Sequence, residues 1–149
     1  MNKLINPMEK FNFLIGEWDL KYRVPKSVFS NEDEGEGTGE FKKILNGNYV
    51  IFNYSAKLKL SENSAMGIFA WDKKSSLYRY WWFENSGNFL SATCDFINDE
   101  TLFLNWHNSL LIQTFKKESR DKVILQMKYP LNENKHDLIL EVILTLQKE

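Results

Sequence analysis

After residue 16 the chain alternates apolar and polar residues with a period of two. Trp18, Leu20, Tyr22 and Val24 are interleaved with Asp19, Lys21 and Arg23, which predicts a strand with one buried and one wet face. Val50, Phe52, Tyr54, Ala56, Leu58 and Leu60 share one face of another, with Asn53, Ser55, Lys57 and Lys59 opposite. Further strands are predicted at 35–45, 65–71, 77–84, 89–97, 101–107, 110–116, 123–129 and 137–147, separated by short turns. Asn46-Gly47 is the strongest hairpin signal, because both residues tolerate the positive φ of a two-residue turn. Only the beginning reads as helix. Asn6-Pro7-Met8-Glu9 has a capping residue, proline at the first helical position and a glutamate at the third, with Phe11, Leu14 and Ile15 at helical spacing before Gly16.

Ten strands with mostly short connections predict that sequence neighbours pair in space. An open meander of that length would expose two edges, and closure removes them. The expected fold is therefore all-β: a closed antiparallel up-and-down barrel of about ten strands with a short N-terminal helix, wider than an eight-stranded barrel that side chains just fill.

Composition narrows the reading. A chain of 149 residues with 43% hydrophobic and 26% charged residues fits one globular domain over 1–149. Nineteen basic and twenty acidic residues leave a net charge of −1, so no nucleic-acid footprint is expected. The single Cys94 excludes a disulfide framework or a cysteine-rich zinc site. The longest apolar run, Leu138–Leu146, is broken by Glu141 and is too short to span a bilayer. With no signal-peptide pattern at the N-terminus, the expectation is a cytoplasmic protein without membrane insertion.

Phe13-Leu14-Ile15-Gly16-Glu17-Trp18 places a Gly-x-Trp at the opening of the first strand. Together with Gly35-Glu36-Gly37-Thr38-Gly39, the run from Gly67 to Trp71-Asp72, Tyr80-Trp81-Trp82 and the strand ending at Gln147-Lys148, it resembles the calycin superfamily of lipocalins and fatty-acid-binding proteins. The similarity is closest to small bacterial lipocalin-like domains of unassigned function. It implies a barrel with an internal cavity, and a basic side chain, here Lys148, packed over Trp18.

No catalytic constellation stands out. There is no Gly-x-Ser-x-Gly elbow and no metal-ligand spacing, and the glycines of 35–39 fit neither familiar phosphate loop. Glu84, Asp95 and Glu141 could do acid–base work only if two of them converged. Cys94 reads as an inert strand thiol, and His136 as a solvated turn residue. His107 falls at a strand end, near a barrel mouth. Enzymatic activity is therefore left open, leaning against, and no cofactor is assigned; haem held by His107 or His136, or calycin-type catalysis, are the lesser alternatives.

The unusual segment is Leu77-Tyr78-Arg79-Tyr80-Trp81-Trp82-Phe83, aromatic on both faces. Either Arg79, Trp81 and Phe83 point inward, with Arg79 meeting a ligand carboxylate, or Tyr80 and Trp82 do, with Tyr78 and Glu84; one residue of register reverses the two. Tyr54 is the polar handle in both. The expected function is binding of a small apolar or amphipathic ligand in the cavity. The alternative is a filled barrel acting as a homodimeric interaction module, suggested by apolar residues on both faces of this strand and of the last.

Overall fold

The computed structural model describes residues 6–58 and 61–147, with residue 58 described for its backbone only. The expected places of Lys148, Leu60 and the Leu58 side chain lie outside these residues. A 3₁₀ helix at Pro7–Leu14 leads into ten strands: β1 (Gly16–Val24), β2 (Asp33–Ile44), β3 (Tyr49–Leu58), β4 (Glu62–Asp72), β5 (Leu77–Glu84), β6 (Phe89–Asn98), β7 (Thr101–Trp106), β8 (Ile112–Ser119), β9 (Lys122–Asn132) and β10 (Lys135–Leu146). Each strand pairs antiparallel with the next, and β10 pairs with β1 to close the barrel. The seam runs from Trp18 opposite Leu146 to Arg23 opposite Glu141. This is the closed up-and-down barrel that the alternation predicts.

The N-terminal helix is 3₁₀ throughout, not α. Its buried residues, Met8, Phe11 and Leu14, recur every third position, so the three-residue turn stacks all three on one side. The Asn6 side chain accepts from the Met8 amide at 2.9 Å and donates to the Gly47 carbonyl at 3.2 Å, tying the helix start to the β2–β3 turn. The Tyr78 hydroxyl donates to the Pro7 carbonyl at 2.7 Å. Phe11, fully buried, packs against Phe69, Tyr78 and Phe96 with ring centroids 4.8, 5.4 and 5.0 Å away. Trp18 is 2% exposed, and its indole N–H donates to the Leu14 carbonyl at 2.8 Å. The helix is thus a plug that seals one end of the barrel.

Two glycines show how the interior is shaped. Gly67 faces inward on β4, and a Cβ there would overlap the Tyr80 phenol of β5. Gly37 on β2 lies so close to the Ser55 carbonyl of β3 that a Cβ would strike backbone. Their missing side chains let a large ring and a neighbouring strand come closer than any other residue allows.

Candidate binding site

Above the plug the barrel is solid. Phe41, Phe69, Phe115, Leu102, Leu104 and Tyr80 are all at most 1% exposed. Towards the other end, where the β5–β6 and β7–β8 turns lie, the interior opens into a cavity of about 380 Å³. Its walls come from nearly the whole barrel: Leu20 and Tyr22 of β1, Phe52 and Tyr54 of β3, Trp82 and Glu84 of β5, Trp106 of β7, Gln113 and Phe115 of β8, Leu125 and Met127 of β9, and Leu140, Val142 and Leu144 of β10. Leu90, His107, Asn108, Ser109 and Leu111 stand at the mouth.

One wall is a continuous aromatic surface. Phe41 stacks on Phe52 at 4.0 Å, Phe52 on Tyr54 at 5.8 Å, and Tyr54 on Trp82 at 5.3 Å with 18° between the planes. Tyr22 approaches Tyr54 at 6.1 Å. Phe41 and Phe52 are cross-strand partners, Phe52 and Tyr54 are successive inward residues of β3, and Tyr54 and Trp82 meet across β4, whose inward Ala65 and Gly67 are small enough to let the rings touch. The polar groups among them are few. The Trp82 indole N–H lies 3.4 Å from a Glu84 carboxylate oxygen, and Gln113 accepts from the Trp106 indole at 3.1 Å. Burial, reinforced by the Glu84 charge, pushes the Tyr54 phenol up to about 12. Tyr22 is raised further, by burial first and then by Tyr54. Both phenols are therefore neutral hydroxyls at any ordinary pH.

The orientation of β5 is decided: Tyr78, Tyr80, Trp82 and Glu84 point inward and Leu77, Arg79, Trp81 and Phe83 outward. Of the residues expected to meet ligand, Tyr54, Trp82 and His107 line the cavity, with His107 exposed at its rim and Nδ1 2.8 Å from the Ser91 hydroxyl. Tyr80 lies beneath it, stacked on Phe69 at 4.0 Å. Arg79, Trp81 and Phe83 stand outside, so the inward arginine is not observed. Arg79 donates to Asp72 on the outer face at 2.7 Å, and that bond is the largest of the effects lowering the Asp72 carboxyl. The reason is register. Gly67 sits opposite Trp82 and leaves room for Tyr80, which only the inward placement of that face requires.

Tyr22, Gln113 and Glu84 also belong to the lining, although the sequence reading gave none of them a ligand-binding role. Their signal was present: each occupies the same strand face as a run of apolar residues, where a polar group is out of place unless it serves the interior. The three weighed carboxylates do not converge. Glu84 is inside, Asp95 is exposed, and Glu141 on the outer face accepts from Gln126 at 2.8 Å and pairs with Arg23 at 3.7 Å. Cys94 is buried away from the cavity, and burial raises its thiol. His136 is exposed on β10. Among the described residues no group of three or more His, Cys, Asp or Glu could hold a metal ion. Among the described residues no helix is long and apolar enough to cross a membrane.

These features define a closed ten-stranded antiparallel up-and-down barrel with a cavity at one end. No protein-family model and no curated sequence matches the chain. Solved structures do. Rv2717c from M. tuberculosis aligns with a TM-score of 0.64 at 10% identity, covering 97% of this chain and 100% of its own. The S-type phycobiliprotein lyase CPES from Guillardia theta aligns at 0.57 and 8%, covering 97% and 94%. A de novo designed fluorescence-activating β-barrel aligns at 0.51 and 12%, covering 97% and 100%. At such identities the likeness is one of fold.

Proposed function

We propose that the protein is a non-enzymatic binding module that holds a small, flat, largely apolar ligand in the open end of its barrel. The observation that carries this reading is the cavity of about 380 Å³ beside a stacked aromatic wall in an otherwise close-packed interior. Small-molecule sites are of this kind, apolar and aromatic with a few placed polar groups. Among the neighbours in fold, one is a lyase of phycobiliproteins and one a design that activates fluorescence, which supports a scaffold suited to pigments or dyes. Burying about 200 Å² of apolar ligand surface would contribute about 5 kcal/mol before association costs. The reading includes a cytoplasmic location.

Titration of polycyclic aromatics, fatty acids and haem, followed by quenching of tryptophan fluorescence, tests it. Saturable binding of a flat aromatic, weakened about tenfold or more in Trp82→Leu, is expected, since ring stacking and burial are both lost. Absence of saturable binding across the whole panel ends the reading.

A second reading, self-association, has its own observation. Ile51, Ile68, Met66, Trp81, Phe83 and Phe89 are neighbours on the outer face of β3–β6, with Trp81 38%, Phe83 41% and Phe89 74% exposed. A contiguous apolar patch of this kind fits a second copy of the chain. Sedimentation should show a dimer that Phe83→Lys converts to monomer; a monomer at high concentration removes this reading.

A further inference from the structure

We infer that the cavity selects ligands whose polar end is cationic and disfavours carboxylates of the same shape. This rests on the binding-module reading above and names the ligand class of that same site. Among the described residues lining the cavity there is no lysine or arginine, and Glu84 is the one carboxylate. It stands at the open end of β5, directly beyond Trp82. A ligand whose apolar body fills the space against Phe52 and Leu125 would bring its outer end to Glu84.

The surroundings of that carboxylate suit a positive charge. Trp82, Tyr54 and Tyr22 form a ring cluster beside it, with centroid separations of 5.3 and 6.1 Å between successive rings. Ring faces carry negative potential and attract cations, tryptophan most strongly. The Tyr22 and Tyr54 hydroxyl oxygens add acceptors. The Glu84 charge also helps, after burial, to hold the Tyr54 phenol above its ordinary range, so the hydroxyl stays neutral beside it. The group that would have matched a carboxylate, Arg79, is on the far side of the strand and engaged by Asp72. An anionic ligand end would lose its water beside Glu84 with no lysine or arginine among the described lining residues to pair with it, and a desolvated charge without a partner is costly.

The experiment uses three probes with one aromatic body: (naphthylmethyl)trimethylammonium, naphthylmethanol and naphthylacetate, each titrated calorimetrically into the intact protein. The cation should bind about tenfold more tightly than the alcohol, and the acetate most weakly. Glu84→Gln should bring the three affinities to within about threefold of one another, mainly by weakening the cation. The wild-type order decides the matter even if the variant fails to fold. Equal affinities, or an acetate that binds best, overturn the charge preference and leave the binding module standing. No binding of any of the three overturns the preference, while the wider panel above decides the fate of the module itself.

Discussion

Phe11→Ala is the sharpest test of the plug. Phe11 is 0% exposed and meets three rings, Phe69, Tyr78 and Phe96. Truncating a buried phenylalanine costs about 3–5 kcal/mol in transfer and cavity terms, and losing ring–ring geometry puts this site towards the upper half of that range. For a domain of this length each kcal/mol moves the Tm by about 2–4 °C, so a fall of about 10–15 °C is expected. Phe11→Leu keeps most of the volume and should cost about half as much. The assay is urea denaturation of both variants, with m-values compared to confirm that the same surface unfolds. The second arm is ligand affinity. The ligand cavity and the plug share no lining residue, so affinity should stay within about twofold of wild type. A cost below about 1 kcal/mol would refute the plug as a source of stability. Unchanged stability with lost binding would refute the separation of the two ends.

The tyrosines predict an alkaline weakness. Tyr22, Tyr54, Tyr78 and Tyr80 are all held above their usual range by burial, so unfolding releases their protons more readily than the native state does. Their contribution is intact below about pH 10 and is lost as the pH rises, for Tyr54 between about 10 and 12. Denaturation midpoints should fall over that window, and Tyr54→Phe should fall less steeply; a phenolate absorbance titration in which all six tyrosines ionise together would contradict this. Gly67→Ala should destabilise by about 1–3 kcal/mol, because the new methyl group overlaps Tyr80, and Tyr80→Leu in the same chain should recover part of the loss. Thermal melts of the single and double variants check the coupling.

Most of the barrel was legible because one-faced strands leave a period of two. β1 and β3 show their inward faces in their spelling: Trp18, Leu20 and Tyr22, then Val50, Phe52 and Tyr54. The 77–84 strand did not, since both its faces are aromatic and periodicity carries no sign when neither face is polar. What decides its direction is a cross-strand neighbour, Gly67, whose role is visible only once β4 and β5 are in register. The short N-terminal helix was legible, but its type was not, for a related reason. Phe11, Leu14 and Ile15 fit an α-helical stripe, whereas Met8, Phe11 and Leu14 fit a threefold one, and docking on the barrel end selected the latter. Convergence of side chains from distant strands, as in the Tyr22–Tyr54–Trp82–Glu84 group, depends on closure and curvature, which no local pattern encodes.

Nine of the ten strand junctions in this barrel are hairpin neighbours, and the β1–β10 seam alone joins segments more than a hundred positions apart. Every other ladder can zip as soon as its two strands exist, but the seam must wait for the whole meander and bear the entropy of the largest loop. Before it forms, β1 and β10 are both bare edges, each presenting unpaired amides and an apolar face to any other chain in the same state. Two such chains can exchange β10 and each complete the other's barrel with the same register that closes one alone. The vulnerability of this molecule to concentration therefore lies in the order in which it closes, and it is greatest in the interval before Trp18 comes opposite Leu146.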